Sequence, residues 1–315
     1  MTVLLRLLTK PWLGAYLGAL ATWLATIAFT EGLGGGGVLT AALSFATFSV
    51  LVAIGQMYVI TLGPGNVDLS IPAAMTLSGA VSMKIMDGFN GMILPGLAIA
   101  LACGAGVGVF NYGLIRLLRI PPIIATLSSS FLFLSAAISY SRGLRIKPPS
   151  MLADFTTWIV WGVPVLAVVG IVITVAMSVV LHRTLFGRTV TAIGQNPRAA
   201  RLAGLPVDRV RFATYVMCGM FAGLTGYLVS GFSGGAALNM GAEYLLASIA
   251  VVVIGGTSVA GGFANLPGLW GAAMLMFLLV TMLNTYGFGA GMRLVLTGVI
   301  IIAVIIAASG RNKIA

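Results

Sequence analysis

Long apolar runs, each close to the length of a membrane span and separated by short polar or glycine-rich segments, most constrain the fold of this chain. A helix needs about 20 such residues to cross the roughly 30 Å hydrocarbon core of a bilayer. Since 59% of the 315 residues are hydrophobic and only 7% are charged, a soluble core of this size would not bury them. The runs lack the alternation of an outer-membrane barrel, so they predict an all-α integral membrane protein.

Ten apolar runs can be delimited along the chain, and the third and eighth of them are short. They are Pro11–Thr30, Ala41–Leu62, Asp68–Lys84, Gly91–Ile115, Ile123–Tyr140, Trp158–Leu181, Val210–Ser230, Glu243–Gly255, Leu266–Tyr286 and Arg293–Ser309. We therefore expect one transmembrane domain over residues 1–315 with about ten helices.

Lysine and arginine are unevenly divided between the two sides of such a bundle. With a cytoplasmic N-terminus, the inner segments hold Arg6, Lys10, Arg116, Arg119, Arg183, Arg188, Arg198, Arg201, Arg209, Arg211, Arg311 and Lys313. The outer segments hold Lys84, Arg142, Arg145, Lys147 and Arg293. The positive-inside rule thus predicts a multi-pass protein with both termini and a loop at about 182–209 in the cytoplasm. The same bias explains the net charge of +11, so we expect membrane lipid rather than nucleic acid as a partner.

The sequence offers little material for a metal site or for catalysis. Cys103 and Cys218 fall within predicted spans, where a small polarizable side chain packs well. The lone His182 ends the sixth span and is expected to mark the membrane interface. With no second histidine or paired cysteine beside it, we predict no metal site, no disulfide and no catalytic residue in this chain.

Two further absences in the sequence bear on the source of energy for any transport. Of the six acidic residues, only Asp68 and Glu243 lie near membrane depth, whereas an ion-coupled carrier usually needs several buried ionisable groups. The chain also has no GxxxxGK[ST] loop for binding ATP. The chain is therefore predicted not to be an enzyme, and a partner would have to supply the energy.

The loop at about 182–209 contains the signals of a short, capped helix. Asn196 is a favoured N-cap, Pro197 suits the first helical position, and Gly204 can adopt the left-handed conformation that ends a helix. A helix of about two turns is marginal alone, so it should be held by packing against something else. We interpret it as a docking helix. The alternative is a helix on the membrane surface, with Arg198 and Arg201 touching anionic headgroups.

Three segments in order resemble one family of proteins. They are GPGNVDLSIPAAMTLSGAV (63–81), AIGQNPRAARLAGLPVDRVRFATYVMCGMFAGLTGYL (192–228) and YLLASIAVVVIGGTSVAGG (244–262). With the intervening spans, from about Ala41 to Lys313, they resemble the permease subunits of bacterial ATP-binding-cassette importers for monosaccharides, the ribose, xylose and galactose type. Two departures leave the sugar open: GNVDLS stands for the family's GGIDLS, with Pro72 in place of a following glycine, and EYLLASI stands where a YELDAI-like segment is common.

The resemblance implies a broken-helix fold similar to that of the vitamin B12 importer permease, in the bacterial inner membrane. It also implies a second permease, the same or homologous, two cytoplasmic ATPase subunits and a periplasmic sugar-binding protein. No cofactor is expected in this chain, since ATP and Mg would be bound by the ATPase. The residues expected to couple to that ATPase are Arg188, Asn196, Pro197, Arg198, Ala199, Ala200, Arg201, Leu202 and Gly204.

Glycine-rich breaks occur at Gly63–Ser70 and Gly255–Pro267. We interpret them as equivalent points of a weak inverted repeat, or else as sites of close helix packing. Because broken helices are tolerated in membranes where they border protein or a water-filled cavity, the residues predicted to border the translocation path are Asn66, Asp68, Ser70 and Glu243.

Alternative functions remain open on the sequence alone. Relatives with this architecture include permeases for nucleosides and for branched-chain amino acids, although the VDLS segment favours sugar. An ion-coupled carrier or channel disagrees with the scarcity of buried charge, and a membrane receptor or scaffold disagrees with the interrupted helices.

Overall fold

The computed structural model describes residues 12–30, 32, 35–141 and 147–285, with isolated positions between 287 and 302. Within these residues the chain forms α-helices joined by short connections, a 3₁₀ turn at Asn90–Met92 and one β-hairpin of Ile159–Val160 (β1) and Val163–Pro164 (β2). The helices are α1 (Leu13–Phe29), α2 (Gly35–Thr61), α3 (Ile71–Met86), α4 (Ile93–Leu117), α5 (Pro122–Ser141), α6 (Ser150–Thr157), α7 (Val165–Arg183), α8 (Leu185–Gln195), α9 (Pro197–Leu202), α10 (Val207–Phe232), α11 (Tyr244–Ile254) and α12 (Leu266–Thr285).

Six of the described helices are long and apolar enough to cross a membrane: α2, α4 with its preceding 3₁₀ turn, α5, α7, α10 and α12. Three shorter apolar helices, α1, α3 and α11, occupy the positions of the first, third and eighth predicted runs. The all-α membrane class is therefore confirmed. The count of ten spans stays a prediction, because the tenth run, Arg293–Ser309, lies largely outside the described residues.

The predicted start of the sixth span is wrong. Trp158 opens the hairpin rather than a helix, and α7 begins only after Pro164. The hairpin turns at Trp161 and Gly162, whose φ angles of +50° and +81° suit a tight two-residue connection. The Trp161 side chain is 99% exposed, and an exposed tryptophan here is typical of the aromatic belt at a membrane interface.

Helix α2 is the centre of the bundle. Every residue from Val50 to Thr61 is buried, as expected for a helix that is apolar on all sides. Helices α5 and α7 lie at the periphery and expose large side chains such as Phe131 and Val172. Between α4 and α10 the backbones come together at Gly104 and Gly219, because small residues let helices approach closely in lipid.

The two ends of the bundle differ in charge. At one end, which we call the basic end, Arg116 pairs with Asp208, and the amide of Gly262 donates to the carbonyl of Thr61. At the opposite end, Asn90 contacts Ser150 through hydrogen bonds, and Lys84 lies 4.0 Å from the ring centroid of Tyr140. The described arginines all belong to the helix ends and connections of the basic end, and the described lysines, Lys84 and Lys147, belong to the other. For the described residues this division agrees with the predicted grouping of charges. The other members of the two predicted groups lie outside the described residues: Arg6, Lys10, Arg142, Arg145, Arg293, Arg311 and Lys313.

Candidate functional site

The connection between α2 and α3 carries a buried carboxylate. Asp68 is 1% exposed, and its Oδ1 accepts hydrogen bonds from the amide and the hydroxyl of Ser70, at 2.9 and 2.6 Å. The Asn111 amide, on α4, lies 3.4 Å from the same oxygen and donates at 2.7 Å to the Ser70 hydroxyl. Asp68 thereby holds the first turn of α3 and joins it to α4.

Side chains of α5 extend this network. The hydroxyl of Ser129 donates to the amide oxygen of Asn111, and the Thr126 hydroxyl accepts from the amide of Leu69 at 3.0 Å. Sequence reasoning missed Asn111, Thr126 and Ser129. The only signal for them was the isolated Asn111 in an otherwise apolar run, since an amide at that depth needs a polar partner.

The same connection is anchored to the centre of the bundle. The amide of Asp68 donates to Gln56 Oε1 of α2 at 3.2 Å, and the hydroxyl of Tyr215 of α10 lies 3.3 Å from Asn66 Oδ1. Among the described residues, Asp68 Oδ2 and Gln56 Nε2 are buried without a hydrogen-bond partner. The predicted path residues Asn66, Asp68 and Ser70 thus lie together in an enclosed polar cluster, which we call the Asp68 cluster.

Glu243, the fourth predicted path residue, lies outside the Asp68 cluster. It is exposed at the N-terminus of α11 and ends a largely exposed connection, Ser233–Glu243, that follows α10. Gly241 of this connection packs against the backbone of Pro72, and a Cβ added there would overlap the Pro72 carbonyl oxygen. The N-terminal ends of α3 and α11 therefore meet.

From this meeting point the two short helices run in opposite directions. Helix α11 leads to Gly255 beside the basic end, and α3 leads to Met86 beside the opposite end. Eleven residues of helix rise about 16 Å, so the meeting point lies roughly halfway through a 30 Å hydrocarbon core. Each N-terminus carries the positive end of a helix dipole, with Asp68 near one and Glu243 at the other.

The predicted equivalence of the two glycine-rich breaks is wrong. Both lie at the basic end, where Gly261 packs on the backbone of Gly63, whereas the breaks of an inverted repeat would lie at opposite ends. The structural counterpart of the first break is the connection Ser233–Glu243: a long helix, a connection and a short helix follow one another in α2–α3 and again in α10–α11.

The glycines of the two breaks instead meet the loop at about 182–209, which we call the coupling segment after its predicted role. A Cβ added to Gly194, on α8, would overlap both the Thr61 carbonyl oxygen and the Gly262 amide. We call Gly63, Gly194, Gly261 and Gly262 the glycine junction. Beside it, Asn265 donates from Nδ2 to the Gly255 carbonyl at 2.8 Å and fixes the second break.

The coupling segment contains one helix more than the sequence predicted. Helix α8 buries Val190 and Ile193, and the ring of Phe186 stacks on Tyr58 of α2 with centroids 6.2 Å apart. Its apolar positions repeat at helical spacing, which was the available signal. Arg188 of α8 is exposed. The segment is thus anchored on α2 and presents a polar face outward.

Helix α9 has the predicted cap geometry. Asn196 Oδ1 accepts from the amides of Arg198 and Ala199 at 3.0 Å each, and Pro197 occupies the first turn. Gly204 has a φ of +78°, and across it the amide of Leu205 donates to the Ala200 carbonyl at 3.1 Å. The capping pattern therefore predicted this helix correctly. The left-handed backbone at its C-terminal end is one that glycine adopts without strain, which explains Gly204 at that position.

The predicted coupling residues divide between an inner and an outer face. Ala200 is 5% exposed and packs inward, whereas Ala199 is exposed and Leu202 is 90% exposed. Arg201 lies 3.6 Å from Asp208, whose other oxygen is 3.2 Å from Arg116. These ion pairs are well exposed, so each adds under about 1 kcal/mol, but they tie α9 to α4 and α10.

No group of three or more histidine, cysteine, aspartate or glutamate side chains close enough together to hold a metal ion occurs within the described part of the chain. Cys218 is buried and Cys103 half-buried, and both are free thiols. The Asp68 cluster is built from amide, hydroxyl and carboxylate groups on the connection between α2 and α3 and on the helices around it.

Residues 38–306 match the family described as branched-chain amino acid transport system / permease component. The ribose import permease protein RbsC of Escherichia coli K12 is 30% identical over 270 residues, which are 84% of this chain and 83% of that protein. RbsC of Bacillus subtilis 168 is 31% identical over 302 residues, 94% and 91% of the two chains. The autoinducer 2 import system permease protein LsrD of E. coli K12 is 29% identical over 254 residues, 78% and 76%. No solved structure matches the chain. The chain belongs to this family of permeases.

Proposed function

We propose that this chain is the permease subunit of an ATP-driven sugar importer in the bacterial inner membrane. Family membership and the similarity to ribose import permeases support a role in transport. The proposed assembly contains a second permease, ATPase subunits that bind ATP and Mg, and a periplasmic sugar-binding protein. The basic end would face the cytoplasm together with both termini, in keeping with the positive-inside rule.

The glycine junction is the observation that best supports ATP coupling. It brings α8 into backbone contact with both breaks, so a displacement of the coupling segment would be transmitted directly to Thr61 and Gly262. No flexible side chain lies between these backbones to absorb a displacement. Elements packed in this way shift together as units. The exposed Leu202 and Ala199 on the outer face of α9 would form the docking surface for the ATPase.

The translocation path would pass the meeting point of α3 and α11. An exposed carboxylate such as Glu243, about halfway through the hydrocarbon core, would have to face water or a protein partner rather than lipid. A path between this chain and the second permease satisfies that requirement. In this arrangement Glu243 would border the path, while Asn66, Asp68 and Ser70 would lie behind it and support the start of α3.

For the substrate class, the comparisons offer a specific alternative to a sugar. The family description names branched-chain amino acids, whereas the similar proteins above are named for ribose and autoinducer 2 import. The GNVDLS segment also favours a sugar. Measuring which ligand binds the receptor protein that copurifies with the importer, or is encoded beside it, decides between a sugar, a nucleoside and an amino acid.

Docking can be tested by placing a charge on the exposed face of α9. Leu202→Asp should abolish copurification of the ATPase and ATP-driven uptake into liposomes, because a carboxylate would be buried in an apolar contact. Met151→Asp is a matched control, since Met151 is 61% exposed at the opposite end of the molecule. If the segment only lies on the membrane surface, the Leu202 variant will retain the ATPase as well as the control does.

A further inference from the structure

An apolar groove of about 680 Å³ lies between α7 and α12, closed at its sides by Tyr16 of α1 and Leu43 of α2. The geometry points to this groove as a binding site for one acyl chain of an anionic phospholipid, whose phosphate is held at the basic end by Arg183 and His182. The site is separate from the Asp68 cluster and from the docking face of α9, so it does not depend on the proposed transport function.

The dimensions of the groove fit one lipid leaflet. Its α7 wall extends from Ile171 to Arg183, thirteen residues of helix whose Cα atoms span about 18 Å along the axis. Half of a 30 Å hydrocarbon core is about 15 Å, so the groove reaches from the headgroup level at the basic end to near the bilayer centre. A chain of lipid length would therefore fill it from end to end.

The walls are mainly apolar, and the polar groups of Trp270, Thr174 and Tyr16 among them are already paired. Trp270 Nε1 donates to the Thr174 hydroxyl at 3.0 Å, which itself donates to the Gly170 carbonyl at 2.8 Å. The Tyr16 hydroxyl donates to the Pro267 carbonyl at 2.8 Å. A sugar would lose its hydrogen bonds to water in such a groove without replacing them, whereas an acyl chain loses none.

The mouth of the groove carries the charge that an anionic headgroup requires. Arg183 is exposed and has no ion pair among the described residues, unlike Arg116 and Arg201, which share Asp208. His182 is also exposed, and its Nδ1 lies 2.9 Å from the Ser178 carbonyl. That contact requires a proton on Nδ1, so Nε2 donates to a phosphate only when the ring is the doubly protonated imidazolium, whose positive charge also suits an anionic headgroup. Basic pockets between transmembrane helices at the cytoplasmic side are typical sites for phospholipid headgroups.

A bound lipid would also act on the second break. Leu266 and Pro267 line the groove and directly follow the segment Gly255–Asn265 that carries two glycines of the junction. An acyl chain packed between α7 and α12 would restrain the start of α12. Lipid composition would then influence how easily the junction moves.

The test uses the purified full-length permease in detergent, titrated with phosphatidylglycerol or phosphatidylcholine and followed by native mass spectrometry and thermal melting. We expect tighter binding of phosphatidylglycerol, and roughly a fivefold loss of that preference in Arg183→Ala, because one basic residue near a headgroup contributes about 1 kcal/mol. Val175→Trp, which fills the groove, should weaken both lipids equally. Arg209→Ala, an exposed arginine at the same end but outside the groove, should leave lipid binding unchanged.

Three results would overturn the assignment. The first is equal affinity for the two lipids in the unaltered protein, with no effect of Arg183→Ala. The second is displacement of the lipid by inorganic phosphate alone, which would show a headgroup site without the groove. Crosslinking from a cysteine at Val175 to a second permease or to residues 1–10 of the chain would instead identify a protein occupant and would also contradict it. Melting of each variant without lipid separates these outcomes from misfolding.

Discussion

The two short helices begin at the same place and in different ways. At the start of α3, Asp68 is enclosed and hydrogen-bonded to Ser70, with Asn111 and Gln56 close around it. At the start of α11, Glu243 is exposed and makes no side-chain hydrogen bond to the helix that it precedes. Both positions place an acid near the positive end of a helix dipole, so the dipole alone does not explain the difference. The surroundings do, since α4 and α5 cover one start only.

This asymmetry assigns different tasks to the two acids. A buried carboxylate with several donors braces the fold, because its removal leaves those donors unpaired. An exposed carboxylate contributes little to stability and is available to a passing molecule or a partner chain. The comparison predicts that substitutions at Asp68 impair folding and assembly, whereas substitutions at Glu243 impair transport.

The largest effect on stability is expected where the N-terminal ends of α3 and α11 are in contact. Gly241→Val would drive a branched side chain into the Pro72 carbonyl, and neither backbone can yield without moving its helix. We expect more than about 3 kcal/mol of destabilisation and little folded protein, read as melting temperature and yield in detergent. Gly36→Val is the control, since a Cβ there meets nothing within 4 Å. Normal melting of the Gly241 variant would show that the two starts are not in contact.

A smaller loss is expected from Asp68→Ala. It removes the acceptor for the Ser70 amide and hydroxyl and for Asn111, and it should cost about 3 kcal/mol. Asp68→Asn keeps the Oδ1 acceptor and should lose about 1 kcal/mol. Melting temperature, complex yield and uptake, measured on the same preparations, show whether Asp68 stabilises the fold or borders the translocation path. Full complex yield in the alanine variant together with lost uptake would move Asp68 to the path.

The sequence predicted the membrane class, the short third and eighth helices and the cap at Asn196, because each depends on local pattern. It did not predict the partners of Asp68. A single Asn111 or Ser129 in an apolar run carries no information about which neighbour it meets. The two breaks were both rich in glycine because they pack on each other and on Gly194. The similar glycine content of the two breaks therefore reflects their contact with each other, and it is not evidence of an internal repeat.

The true counterpart of the first break was hidden for a related reason. Ser233–Glu243 and Leu62–Ser70 each contain glycines, an asparagine and an acid, but their lengths and the spacing of these residues differ, and the clearest common feature is the order of long and short helices around them. Side chains in the two connections meet different environments, one enclosed and one open, so they have no physical reason to be alike. Helix lengths and directions, which set the architecture, do not depend on those side chains.

The smallest effect on stability and the clearest test of the comparison is Glu243→Gln. Glu243 is exposed, and its side chain supports no neighbour that the structure describes. The stability of the variant should therefore change by no more than about 0.5 kcal/mol, read as its melting temperature. ATP-driven uptake should nevertheless fall several-fold. Asp154→Asn, an exposed acid at the opposite end, should alter neither quantity. Uptake equal to that of the control would remove Glu243 from the path. Loss of the complex itself would mean that Glu243 is buried against the second permease, and both starts would then serve assembly.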